Sequence, residues 1–346
     1  MAEKLTMADI AELAGVTKST VSRYFNGGSI KEETRKKIQN VVEENNYIPN
    51  SFARLKAKES NTVGVIVPTL NSKVTSRVVT SIGRYLRSQG YEALIKDSDH
   101  SPKLELENIN RLFTQKVDGI LFSAISLTEE HKQLLMNSPV PVVVLAQNFE
   151  EGITVTMDDY TAGKTMGSFM GSRVHGKIAY LGVDEEDEAV GIFRRQGVLE
   201  GIKESGSQVM TVETGDYSYV SGQEMMEKVL EKGIPDGVIC ATDRLAFGAY
   251  RILQKHGILI PEQVSVAGFG GYDESELLSP QLTTLRFDSY GLGYLGAETL
   301  LKMIREEPVP KKQIVGFEMI PGKSVRNKRE IDRAEPGQKG SKSKEK

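Results

Sequence analysis

From Val63 onward, short apolar runs rich in β-branched residues alternate with longer stretches of helical periodicity, and this alternation restricts the fold more than any other feature. The runs that read as strands lie at 63–67, 92–96, 119–123, 142–145, 153–157, 178–181, 208–213, 238–241, 264–268 and 283–286. Helices are predicted between them at 74–89, 103–115, 160–173, 194–205, 220–231 and 244–256. Strands that alternate with helices form βαβ units, which build mainly parallel sheets covered by helices on both faces. Ten strands over about 260 residues suit two sheets better than one, and a break at 157–163 divides them. In open sheets of this kind ligands bind beyond the carboxyl ends of the strands, so the residues just after each strand are the candidate ligand contacts.

The first sixty residues follow another pattern. Three short helices are predicted over 4–46. Thr6 with Asp9 makes a capping-box-like start to the first, whose Ile10, Leu13 and Ala14 share a face, and Gly15 breaks it. Thr17 caps a second helix that runs to about Phe25 and stops at Asn26-Gly27-Gly28. The third, about 32–45, buries Ile38, Val41 and Val42. Helices joined by three or four residues that include a glycine have helix-turn-helix spacing. The second helix begins KSTVSRYF, which spends its surface on hydroxyls and basic groups, poor material for a core and good material for a DNA groove.

Tyr47-Ile-Pro49 closes this small domain. Asn50 is placed to cap one more short helix, 51–57, and 58–62 is polar and linker-like. The expected organisation is a helix-turn-helix domain at 1–47, a hinge helix and linker at 48–61, a core at 62–325 and a disordered tail at 326–346. The core divides into one subdomain of about 62–158 plus 288–318 and a second of about 159–287 plus 319–325.

Charge and composition remove several function classes. The formal net charge is −3, but residues 1–60 carry +2, so a basic head sits on an acidic body and only the head suits DNA. Cys240 is the sole cysteine and lies in an apolar run, which reads as a buried structural thiol in a reducing, cytoplasmic setting. The start of the chain is amphipathic and acidic, unlike a signal peptide, and no apolar run is long enough to span a membrane. His100, His131, His175 and His256 are scattered without metal-ligand spacing. There is no P-loop and no nucleophile elbow, so neither an enzyme nor a cofactor or metal protein is expected.

Specific motifs add to this. TMADIAELAGVTKSTVSRYFNG at 6–27, Glu33-Thr-Arg35, Asn46-Tyr-Ile-Pro-Asn50, Ala241-Thr-Asp243, Val264-Ser-Val-Ala-Gly268 and Pro280-Gln-Leu-Thr-Thr284 occur in order, and the chain resembles LacI-family transcriptional repressors over about 5–320. The resemblance implies a small all-α helix-turn-helix headpiece plus an α/β periplasmic-binding-protein-like core of two doubly wound parallel-sheet subdomains. It also implies a homodimer on a palindromic double-stranded DNA operator. On the family pattern Lys18, Ser19 and Arg23 read base edges, Thr20 and Ser22 contact phosphates, and Val21 turns into the core. Thr6, Asn26, Tyr47, Asn50 and Ala53 join the DNA-contacting set. Leu55 is the candidate minor-groove wedge, although the hinge is one residue shorter than the family's usual spacing.

For the effector, strand ends and the family pattern nominate Asn71, Ser72, Lys73, Lys96, Ser123 and Gln147 in the first lobe. In the second they nominate Asp158, Asp159, Tyr160, Arg194 and Asp243, with Phe287 near the crossover. Arg194 and Asp243 match the family's usual sugar-hydroxyl ligands. Within the family the motifs look most like sucrose-operon repressors of Gram-positive bacteria and are similar to trehalose-operon repressors. The expected effector is therefore a sugar or sugar phosphate such as sucrose 6-phosphate. The alternatives are trehalose 6-phosphate, a free sugar, a purine, or a phosphoprotein corepressor.

Two departures bear on charge. Gly268-Phe-Gly-Gly271 replaces a family Gly-Tyr-Asp-Asp, which removes a carboxylate, leaves room and suits an anion. Thr69 stands where phosphosugar sensors often carry an arginine. Phosphate binding would then rest on Lys73, Lys96, Arg194 or Arg195, or on a helix N-terminus.

Overall fold

The computed structural model describes residues 7–25, 28–45 and 60–326. The chain forms two compact units, Met1–Ser60 and Asn61–Lys346.

In the first unit, α1 is Met7–Leu13, α2 is Lys18–Phe25 and α3 is Glu32–Glu44. Gly15 has φ +65°, a left-handed conformation that suits glycine, and it turns the chain from α1 into α2. The Thr17 hydroxyl accepts the Thr20 N–H at 3.3 Å and so caps α2. Ile10, Ala11, Ala14, Val21 and Ile38 form the core, with Val16, Tyr24, Ile30, Val41 and Val42 packed around it.

The second unit holds two six-stranded sheets. The first-lobe strands are β1 Thr62–Val67, β2 Glu92–Asp97, β3 Gly119–Ser123, β4 Val142–Leu145, β5 Ile153–Met157 and β11 Lys312–Val315, in the order β11-β5-β4-β3-β1-β2. The second-lobe strands are β6 Lys177–Val183, β7 Gln208–Gly215, β8 Gly237–Cys240, β9 Ser265–Phe269, β10 Thr283–Phe287 and β12 Phe317–Ile320, in the order β12-β10-β9-β8-β6-β7. All pairs are parallel except β10 with β12. The chain crosses between lobes after Met157, after Phe287 and at Gly316. The return to the second lobe thus begins before the expected 318.

Helices cover the sheets: α4 Lys73–Ser88, α5 Pro102–Thr114, α6 Glu129–Met136, α7 Asp159–Val174, α8 Arg195–Glu204, α9 Tyr219–Glu231, α10 Asp243–Lys255 and α11 Ser289–Ile304. A π-helical turn, Glu188–Arg194, leads into α8. The helices α6 and α11, the π-turn and strands β11 and β12 were not foreseen. Side-chain oxygens of Ser72, Ser101, Thr128, Asp158, Ser218, Thr242 and Asp288 cap the helices that follow them.

Glycines set the spacing beside the cleft. A Cβ on Gly163 would lie 2.2 Å from the Arg194 carbonyl oxygen, and one on Gly197 would lie 2.1 Å from that of Tyr160. Only glycine allows α7 and α8 to approach this closely, and the approach brings Asp159 at the start of α7 to Arg194. Arg326, assigned by sequence to a disordered tail, is instead anchored. Its Nε donates to the Pro261 carbonyl at 3.0 Å and its N–H to the Ser265 hydroxyl at 3.1 Å. The rest of that tail, 327–346, and the hinge helix expected at 51–57 lie outside the described residues. Among the described residues no helix is long and apolar enough to cross a membrane.

Candidate functional site

The headpiece presents α2 as expected of a groove-reading helix. Val21 is fully buried, while Lys18, Ser19 and Arg23 are exposed. Three residues on one helix surface thus offer an ammonium, a hydroxyl and a guanidinium, the groups that reach base edges and phosphates. The hydroxyls of Ser19 and Thr20 lie 2.9 Å and 2.8 Å from that of Thr17, which orders this end of the helix. The Arg35 guanidinium lies over the Tyr24 ring at 5.9 Å and fixes α3 against α2. The candidates Thr6, Asn26, Tyr47, Asn50, Ala53 and Leu55, and the side chain of Ser22, lie outside the described residues.

Between the two lobes lies a cavity of about 520 Å³. From the first lobe it is lined by Thr69, Asn71, Ser72, Asp99, His100, Ser123 and Gln147. From the second come Asp159, Asp184, Glu186, Asp187, Arg194, Asp216, Tyr217, Arg244 and Tyr272, and Phe287 sits at a crossover. Asn71, Ser72, Ser123, Gln147, Asp159, Arg194 and Phe287 are therefore brought together as the sequence suggested. The wall mixes hydroxyl, amide and carboxylate groups with aromatic faces, a lining that suits a polyhydroxylated ligand.

Several side chains already bridge the lobes. Gln147 Nε2 donates to the Ile125 carbonyl at 2.7 Å and to Asp187 Oδ1 at 3.0 Å. The Tyr217 hydroxyl donates to Asp187 Oδ2 at 2.5 Å, and His100 stacks on the Tyr217 ring with centroids 5.6 Å apart. Burial first, and Asp187 second, push the Tyr217 hydroxyl well above the ordinary phenol range, so it acts as a donor. Arg77 of α4 donates to the carbonyls of Gly270 and Gly271 at 3.0 Å and 2.7 Å, and Arg244 donates to that of Asn71 at 2.9 Å.

Arg194 is held on all sides. Its Nε and Nη2 donate to Asp159 Oδ1 at 2.8 Å and 2.5 Å, and its Nη1 donates to the Ala241 carbonyl at 2.8 Å. The rings of Phe269 and Phe287 each lie 5.1 Å from its guanidinium carbon. Burial alone works against the charge, but the Asp159 carboxylate outweighs it and holds the guanidinium protonated. Arg194 thus lines the cavity as a neutralised, rigid pair.

Other expectations are corrected. Asp243 does not line the cavity. It is fully buried, and it accepts from the Tyr272 N–H at 2.8 Å, the Ser275 hydroxyl at 3.0 Å and the Thr284 hydroxyl at 2.6 Å. It ties the loop after β9 to β10, and a Cβ on Gly268 would lie only 2.4 Å from its Oδ1. Asp158 caps α7 by accepting the Thr161 N–H at 3.1 Å. Tyr160 faces outward and donates to Glu200 at 2.5 Å. Lys73 pairs with Glu274 at 3.1 Å, Arg195 pairs with Glu185, and Lys96 on edge strand β2 does not line the cavity.

The space beside Gly270 and Gly271 is taken by protein atoms and not left open. Their φ values are +136° and +56°, the Tyr272 ring and the Arg286 side chain fill the space where Cβ atoms would stand, and their carbonyls take Arg77.

Sequence reasoning missed Asp99, His100, Asp184, Glu186, Asp187, Asp216, Tyr217, Arg244 and Tyr272 as cavity residues. Three had a readable signal: Asp184 follows β6, and Asp216 and Tyr217 follow β7, and each strand runs two residues past its predicted end, to Val183 and Gly215.

Comparison with known proteins agrees with this geometry. The family model for periplasmic binding proteins and the sugar binding domain of the LacI family matches residues 60–320, and that for bacterial regulatory proteins of the lacI family matches residues 6–50. A sucrose operon repressor from Staphylococcus xylosus is 30% identical over 90% of this chain and 98% of its own length. Catabolite control protein A from Priestia megaterium is 32% identical over 88% of this chain and 94% of its own length. A crystal structure of the lac repressor dimer bound to operator and the anti-inducer ONPF covers 94% of this chain and 100% of that chain, with a TM-score of 0.84 at 24% identity.

Proposed function

Since this chain belongs to the LacI family of bacterial regulatory proteins, we propose that it is a transcriptional repressor of a sugar-utilisation operon, released from its operator by a saccharide bound between the two lobes. One observation carries the reading. A helix with exposed Lys18, Ser19 and Arg23 occurs in the same chain as a cavity of about 520 Å³ walled by hydroxyl, amide, carboxylate and aromatic groups. A headpiece with so few base-reading side chains gains specificity when two act on one palindrome, which calls for a homodimer. Such a regulator works in the cytoplasm, where its operator is.

The saccharide acts by linkage. It changes operator affinity only by as much as it prefers one arrangement of the lobes over another. The contacts that span the cleft at Gln147–Asp187, His100–Tyr217 and Arg77–Gly270 are the parts of that arrangement a ligand can alter. The sucrose operon is the assignment favoured by the S. xylosus relative, and sucrose-derived sugars come first in any effector screen.

The test is an operator-binding titration with and without sugars. Arg23→Ala is expected to lower operator affinity by roughly 1–3 kcal/mol and to relax base preference. It should still show the same sugar-induced rise in melting temperature. A phosphoprotein that tightened operator binding, with no sugar releasing it, would replace this reading with that of a catabolite-control regulator.

A further inference from the structure

The charges on the cavity wall discriminate between a sugar and its phosphate ester. The four cations that sequence offered to a phosphate are all unsuited to one. Arg194 is neutralised by Asp159, and Lys73, Lys96 and Arg195 are not on the wall. Arg244, the other arginine of the wall, donates to the Asn71 carbonyl and keeps its charge, but it is one cation among many carboxylates. The helix N-termini at the cavity each already carry a side-chain cap that takes one N–H. Ser72 accepts the Thr75 N–H, Ser218 the Ser221 N–H and Thr242 the Leu245 N–H. Against these stand five carboxylates on the wall besides Asp159, namely those of Asp99, Asp184, Glu186, Asp187 and Asp216.

We propose that the effector is an uncharged saccharide and that this wall rejects its phosphate ester, a proposal that rests on the sugar-effector reading of the cleft. Carboxylates accept strong hydrogen bonds from sugar hydroxyls and repel an anion, and the repulsion is strongest where water is excluded. Asp187 is the specificity-determining residue. It is the one of the five that is half-buried rather than exposed, and it stands where the lobes meet, accepting from Gln147, Tyr217 and the Val190 N–H, so a ligand that closes on this seam meets its charge.

The experiment is calorimetry and thermal shift on the full chain with matched pairs: sucrose and sucrose 6-phosphate, trehalose and trehalose 6-phosphate. At least one neutral member is expected to bind, with its ester at least tenfold weaker. Asp187→Asn should weaken the neutral sugar and narrow that ratio. An ester that bound as tightly as its parent sugar or more tightly would overturn the proposal and leave the sugar-effector reading standing. If no member of any pair bound, the sugar-effector reading would fall, and the charge filter with it.

Discussion

The two lobes share one strand order, β2-β1-β3-β4-β5 against β7-β6-β8-β9-β10, yet they handle charge in opposite ways. The first lobe offers the cavity mostly neutral groups, Thr69, Asn71, Ser72, Ser123 and Gln147. Its buried contact of Glu105 with His131, at 3.3 Å, is not part of the cavity wall, and neither Glu105 oxygen has a well-aligned hydrogen bond. The second lobe satisfies its buried charges, one on the cavity wall and one behind it. Arg194 has Asp159 and Ala241, and Asp243 has Tyr272, Ser275 and Thr284. The contrast teaches that a charged residue at the ligand end of a strand can be part of the wall's framework. Its partners decide whether it has anything left to give a ligand.

The hardest test of that contrast is Arg194→Ala. If Arg194 were chiefly a ligand contact, the variant would fold normally and ignore the sugar. As half of a buried pair, its loss leaves Asp159 unpaired and is expected to destabilise the chain by about 3–5 kcal/mol. Denaturant unfolding without ligand distinguishes the two. Asp243→Ala comes next. It strands an N–H and two hydroxyls in the interior, with an expected loss of about 3 kcal/mol, read by the same measurement. A variant that lost sugar binding at full stability would return Asp243 to the list of ligands.

The same contrast explains what was legible in the sequence. The parallel sheets were, because buried runs such as Thr62–Val67 and Gly119–Ser123 are short, β-branched and bounded. Helix α11 was not. Its sequence YGLGYLGAETLLKMI carries three glycines and is buried along much of its length, and its outward stripe is narrow and half aromatic, Tyr290, Tyr294, Glu298 and Lys302. Strand ends nominated Ser123 and Gln147, and both stand on the cavity wall because the backbone after β3 and β4 carries them there. They failed for Asp243, Asp158 and Tyr160, whose side chains turn to the Thr284 hydroxyl, the Thr161 N–H and Glu200, partners far off in sequence or hidden in a cap. Lys96 failed because β2 continues to Asp97, and the chain reaches the cavity only at Asp99 and His100. The family pattern told which residues are special without telling what they touch.

The smallest expected effects concern two cations of α4 that both reach the second lobe. Arg77 has a side chain 12% exposed and is bonded to two loop carbonyls, so Arg77→Ala is expected to cost about 1–2 kcal/mol. Lys73, with side-chain exposure of 44% against 46% for its partner Glu274, makes a solvent-screened bridge. Lys73→Ala is therefore expected to change stability by less than about 0.5 kcal/mol, and that little should vanish at high salt. Burial rather than charge separates them, since both are interlobe cations on one helix. Equal losses from the two variants at high salt would show that the lobes are joined by the surface bridge as much as by the carbonyl clamp. Unequal losses that salt leaves unchanged for Arg77 alone would place the clamp on Gly270 and Gly271, in a loop where two glycines of positive φ hand their carbonyls to the other lobe.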